Sequence, residues 1–279
     1  MAISTDREKE LQIFSNELRK TILTMLHGVQ SGHPGGSLSC VEILTVLYLE
    51  KMRFDPKEPE DPERDRLLLS KGHACPTLYA ILAKLGAFPE EELLTLRQLG
   101  TRLQGHPQMN AVPGIEMSSG PLGLGLSVGV GMALAARLDR RSYHTFVILG
   151  DGELQEGIIW EAAMSAAKFH LDNLIAIVDL NGVQLDGTTD EVMPLGDVIG
   201  KFETFGWNAM SVDGHDVAAL SNAIDEAKKQ KKQPTVIVAR TIKGKGVSFM
   251  EGQAAWHGQA ISSDNFQQAL TQLEAVRYD

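Results

Sequence analysis

Two rhythms of hydrophobic and polar positions alternate along the chain. Leu11, Phe14, Leu18, Ile22, Met25 and Val29 step by three and four, which predicts an amphipathic helix over 6–31, with Asp6 as its N-cap and Gly32 at its end. Similar patterns predict helices over 39–52, 76–85, 89–99, 157–169, 196–205, 217–229 and 262–273. Between them lie apolar runs too short for helices, at 67–69, 145–149, 174–180, 207–212 and 235–239, most of them rich in Val, Ile and Leu. Strands alternating with helices predict an α/β fold, an open, mainly parallel sheet flanked by helices. With no repeat, low-complexity tract or linker in the way, 1–279 reads as a single domain.

Composition narrows the function classes. Hydrophobic residues at 43% suffice for a sizeable core. A net charge of −10 argues against nucleic-acid binding, which needs a basic face. Cys40 and Cys75 form neither a metal spacing nor a disulfide framework, and suggest structural thiols in a reducing compartment. The N-terminus is polar and no apolar run reaches membrane-spanning length, so a cytoplasmic protein without membrane contact is expected.

The chemistry concentrates at 144–187. One strand ends in Gly150-Asp151-Gly152 and the next in Asn181-Gly182, so Asp151 and Asn181 leave the same edge of neighbouring strands, where open parallel sheets bind ligands. A carboxylate, an amide oxygen and a nearby backbone carbonyl make an all-oxygen set suited to Mg²⁺ or Ca²⁺, and the glycines admit a diphosphate. Histidines beside glycine or proline recur at His33, His73, His106 and His257. Imidazoles near pH 7 can both donate and accept protons. The glycines at 123, 125 and 129 miss the dinucleotide spacing by one, so a nicotinamide site is rejected. The small-residue helix behind them suits either core packing or a subunit interface. Lys243 and Lys245, beside glycines at a strand end, suit either phosphate or an exposed loop.

These segments occur together in one order: SGHPGG, DRLLLSKGHA, GHP, GPLG, GDGELQEG, DLNGVQLDG, DGHD, ARTIKGKG and WHG. The set resembles the N-terminal, diphosphate-binding portion of transketolases, over nearly the whole chain. The resemblance implies a thiamine diphosphate-binding fold with a magnesium ion, for which calcium or manganese can substitute. It implies that Asp151 and Asn181 ligate the metal by side chains and Val183 by its carbonyl. The cofactor would meet His73, Gly120, Pro121, Leu122, Gly152, Glu153, Asn181 and His257. His33, His73, His106 and His257 would be the catalytic histidines. Glu156 and Glu161 would lie near the contact between paired active sites, the alternative being ordinary acids in a helix first turn.

Full-length transketolases carry a pyrimidine-binding and a C-terminal domain beyond this portion. The expectation is therefore the N-terminal subunit of a split transketolase. It would move a two-carbon ketol unit from a ketose phosphate to an aldose in pentose phosphate or related sugar metabolism. A separate C-terminal subunit would complete an α2β2 enzyme and supply the Glu that activates the aminopyrimidine. The alternatives are a subunit resembling 1-deoxyxylulose-5-phosphate synthase or a 2-oxo acid dehydrogenase, and a non-catalytic regulatory module.

Overall fold

The computed structural model describes residues 3–278. In chain order the elements are α1 (Thr5–Val29), α2 (Pro34–Ser39), α3 (Val41–Val46), β1 (Arg66–Leu69), α4 (Cys75–Lys84), α5 (Leu124–Leu138), β2 (Thr145–Gly150), α6 (Gly157–Lys168), β3 (Leu174–Leu180), α7 (Thr189–Val192), α8 (Val198–Thr204), β4 (Asn208–Asp213), α9 (Val217–Lys229), β5 (Thr235–Arg240) and α10 (Ser263–Glu274). The five strands form one parallel sheet in the order β1-β2-β3-β5-β4.

Central strands are apolar at successive positions because helices cover both faces. Phe146, Ile148, Ile175, Ile177 and Ile237 point into a core shared with α1, α3, α4 and α9. Val147, Leu149, Ala176, Val178 and Val236 point into a second core under α5, α6 and α8. The small residues of α5 serve the second core. A Cβ on Gly129 would stand 2.6 Å from Val147 Cγ2, and one on Gly125 would stand 2.4 Å from Ser70 Oγ. Only bare backbone lets α5 lie this close to β1 and β2.

Several local expectations shift. Ser4 rather than Asp6 caps α1, its Oγ accepting from Arg7 N at 3.2 Å, and Gln30 closes the helix with φ of 51°. The glycines at 32, 35 and 36 predict a loop over 31–37, yet the stretch after His33 is helical from Pro34, because proline suits a first turn. The glycines at 35 and 36 are needed there for close approach, since a Cβ would lie 2.9 Å from the Trp256 carbonyl and 3.2 Å from the His73 ring respectively. The predicted helix over 89–99 is a 3₁₀ turn, Glu90–Thr95. Leu93 and Leu96 are buried as the periodicity required, but Arg97 turns the chain with φ of 60° and its N–H bonds the Leu103 carbonyl at 2.9 Å.

Candidate functional site

The carboxyl ends of β1, β2, β3 and β5 open into a cleft of about 440 Å³. Registration fixes its floor, because Gly150 pairs with Asp179 and Asp179 with Ala239. The turns after β2 and β3 are stitched together by Asp151. Its Oδ1 accepts from Gly152 N at 2.8 Å, and its Oδ2 from Gly182 N at 2.5 Å. Gly182 reaches that turn with φ of 74°. Asn181 Oδ1 accepts from Val183 N at 3.1 Å, and Asp151, Asn181 and Val183 all line the cleft.

Asp151 is 3% exposed and makes no ion pair among the described residues. Burial and the neighbouring Asp179 push its carboxyl up to about 6, against the pull of two amides and Lys71. The Val183 carbonyl already accepts from a cation, the Lys243 ammonium at 2.9 Å. An under-compensated carboxylate, an amide oxygen and a cation-accepting carbonyl on one wall fit a hard divalent ion. Among the described residues no group of three or more His, Cys, Asp or Glu could hold a metal. With three oxygen donors, the set suits a cation that takes the rest of its shell from phosphate and water.

The four histidines come from separate segments and meet. His33 has its ring centroid 5.3 Å from His73, 6.1 Å from His106 and 5.4 Å from His257, and His73 lies 5.0 Å from His257. Burial pushes every one of them down: His33 to about 4, His257 to about 3, His73 well below the ordinary range and His106 in the same direction. Lysines and Arg97 add to the effect. The cluster is thus neutral at pH 7, a set of hydrogen-bond donors and acceptors rather than a store of protons.

Behind this layer is a buried polar network that sequence reasoning missed. Lys71 Nζ pairs with Asp179 Oδ2 and donates to the Gly36 carbonyl at 2.9 Å. Ser39 Oγ donates to the same Asp179 oxygen at 2.5 Å, and Thr241 Oγ1 to the other. A charged residue within the apolar run LIAIVDL was the available signal. Glu153 ties three segments, since its carboxylate accepts from Ser70 Oγ, Gly123 N (2.7 Å) and Gly150 N (2.9 Å). Arg97 Nη2 lies 3.3 Å from His33 Nδ1, and its Nη1 is 2.9 Å from Ser31 Oγ. A guanidinium only donates, so His33 Nδ1 accepts and its proton sits on Nε2. Lys243, left open between phosphate and loop, is 2% exposed and lines the cleft. Lys245 is half-buried and 3.7 Å from Glu251.

Gly120, Leu122, Gly152 and Glu153 also line the cleft, and Pro121 is exposed beside them. Glu156 sits on the rim, whereas Glu161 is exposed one turn along α6 and outside the lining.

Comparison with known proteins places this geometry. Residues 12–276 match the family model for transketolase, thiamine diphosphate binding domain. The chain is 45% identical to the 6-deoxy-6-sulfo-D-fructose transketolase subunit SqwG of Clostridium sp. (strain MSTE9), covering 97% of this chain and 98% of that protein. It is 41% identical to one of the subunits of the apulose-4-phosphate transketolase of Phocaeicola vulgatus, over 94% of this chain and 93% of that one. Among solved structures, Pichia stipitis transketolase in complex with sedoheptulose-7-phosphate superposes with a TM-score of 0.90 at 36% identity, covering 96% of this chain. Campylobacter jejuni transketolase gives 0.90 at 34%, covering 98%. This chain spans 41% and 43% of those two solved chains.

Proposed function

The chain belongs to the transketolase family through its thiamine diphosphate-binding domain, and from that premise we propose that it is the diphosphate-holding subunit of a split transketolase, moving a two-carbon ketol unit between sugars or sugar phosphates. The end-to-end match to two proteins named as transketolase subunits supports the split arrangement, as does the smaller share of the long transketolases that the chain spans. The observation that carries the reading is the convergence of an oxygen-rich wall with four neutral imidazoles across one cleft.

Asp151, Asn181 and the Val183 carbonyl would hold Mg²⁺, with Gly152 and His73 against the diphosphate and the loop at 120–122 flanking the cofactor. When bound, thiamine diphosphate supplies the nucleophilic carbon and the electron sink that cleavage beside a ketose carbonyl needs. The chain's own part is to bind, orient and move protons. His33 presents Nε2–H, which can donate to a substrate oxygen, while Arg97 holds its other nitrogen. His106 faces the same space and can accept from a hydroxyl, because burial keeps it neutral, whereas His257, whose Nδ1 accepts from the Lys243 ammonium, presents Nε2–H as a donor. Glu156, on the rim, and Glu161 on α6 would approach a second active site, and an α2β2 assembly in the cytoplasm is the arrangement we propose.

Metal-dependent cofactor binding tests the reading. With the candidate C-terminal subunit present, calorimetry should detect thiamine diphosphate binding only with Mg²⁺, and Asp151→Ala should weaken it at least about 100-fold. Unchanged affinity in that variant removes the metal assignment. Consumption of pyruvate rather than ketose phosphate by the assembled enzyme would favour the synthase-like or 2-oxo acid dehydrogenase-like alternatives.

A further inference from the structure

Lys243 is a buried ammonium without a carboxylate ion-pair partner among the described residues. Its Nζ is held by the Val183 carbonyl and His257 Nδ1, each at 2.9 Å. Neither partner is charged, so the arrangement favours an anion in the cleft and does little by itself to keep the side chain inside. The loop that carries it, 241–246, has no regular structure and turns at Gly244 and Gly246 with φ of 80° and 94°. Something outside the loop must fix its course.

Part of that comes from Thr241 N and Gly244 N donating to the Leu180 and Gly35 carbonyls, each at 3.0 Å, and from Gly252 N donating to the Lys243 carbonyl at 2.9 Å; three residues outside the cleft lining supply the rest. His215 follows β4 and its Nε2 accepts from Ile242 N at 2.8 Å, one residue before Lys243. Arg19 on α1 donates from Nε to the Lys245 carbonyl at 2.9 Å, two residues after it. Glu42 on α3 joins them: its Oε2 meets His215 Nδ1 at 3.0 Å, and both its oxygens meet Arg19, at 2.7 and 2.8 Å. These partners fix the protons on the imidazole. A backbone N–H only donates, so Nε2 is bare; a carboxylate only accepts, so Nδ1 bears the hydrogen. Arg19 and Glu42 are 5% and 7% exposed, so the pair is little screened by water.

We infer that Arg19, Glu42 and His215 are positioning residues that grip both flanks of the 241–246 loop and thereby aim Lys243 at the diphosphate end of the cleft. The inference rests on the cofactor placement proposed above. The three act through backbone: Glu42 selects the His215 tautomer, and that tautomer holds the amide beside Lys243.

The test uses the full chain and reads the aim of Lys243 directly. The rate at which an amine-reactive acylating reagent modifies Lys243 is followed by mass spectrometry, with Lys245 on the same loop and buried Lys71 as references. Affinity for inorganic diphosphate with Mg²⁺ is measured in parallel by calorimetry. His215→Phe should raise Lys243 labelling about 10-fold while Lys71 stays protected, because only a local opening is released. Diphosphate affinity should fall about 10-fold with it. His215→Gln, which can donate and accept, should stay close to wild type. Glu42→Gln should change labelling in the same direction, since a neutral amide offers one acceptor oxygen in place of the two that Arg19 and His215 Nδ1–H use; it keeps the question open to refutation should the Phe variant not fold. Folded His215→Phe and Glu42→Gln chains with wild-type Lys243 labelling would overturn the positioning role. Wild-type chain that binds no diphosphate, with labelling changed as expected, would instead overturn the cofactor placement and leave the positioning role standing.

Discussion

At the scale of single residues, the site is held in a state that water alone would not choose. Asp151 ionises only above about 6, so at neutral pH its buried charge costs on the order of 3 kcal/mol relative to an ordinary carboxylate. Asp151→Asn removes the charge and loses one acceptor for the Gly152 or Gly182 amide, worth about 1–3 kcal/mol. Urea unfolding of the metal-free chain at pH 7.5 should therefore show equal or slightly greater stability, while the gain from added Mg²⁺ and thiamine diphosphate disappears. The histidines work in the opposite direction on acidification. Their folded pKa values are lowered, so below about pH 6.5 the unfolded chain binds more protons than the folded one. Their contribution is full above about pH 6.5 and is lost as pH falls towards the folded values, about 4 for His33 and about 3 for His257. The unfolding midpoint should be flat in this respect from pH 7 to 8 and drop below 6.5, and His33→Asn with His257→Asn should reduce that slope; an unchanged slope would contradict the neutral cluster.

At the scale of elements, the cleft is built by strand ends and pinned by one ion pair. Lys71 and Asp179 join the end of β1, α2, β3 and the residue after β5. Lys71→Met leaves Asp179 buried without its cation and should cost about 3–5 kcal/mol in chemical denaturation, with Lys71→Met/Asp179→Leu recovering part of the loss. Helix α5 offers a sharper contrast. Gly129→Ala drives a Cβ into Val147 and should destabilise by about 1–3 kcal/mol, whereas Gly131 has open space around it and its alanine should be neutral or stabilising by up to about 1 kcal/mol. The alternating strands and helices, and the strand ends carrying Asp151 and Asn181, were legible because burial on both faces and glycine turns leave local marks in sequence. The helical period over 89–99 was real as a burial pattern yet failed as a helix, because the Arg97 contacts that bend the chain come from the His33 loop and from Leu103. Lys71 was illegible for the same reason, Lys243 was left open between phosphate and loop, and Asp179 showed only as a charge within an apolar run. Their partners lie tens of residues away, and nothing local separates a buried lysine from an exposed one.

At the scale of the whole molecule, the cleft is furnished on one side only. The sheet edge supplies an oxygen wall, amides and imidazoles, while exposed Leu122 and Leu185 rim its open side. No helix among the described residues is long and apolar enough to cross a membrane. The apolar rim and the end-to-end match to proteins named as subunits fit a site finished by another chain. The charge of −10 gives the chain no general affinity for phosphate, so anion binding rests on the local geometry around Asp151, Asn181 and Lys243. Ketol transfer from a ketose phosphate to an aldose phosphate, with Mg²⁺ and thiamine diphosphate, tests this half-site most directly when measured for the chain by itself, for the isolated C-terminal subunit and for the two together. The account predicts turnover only in the mixture; sustained transfer by the lone chain would contradict it.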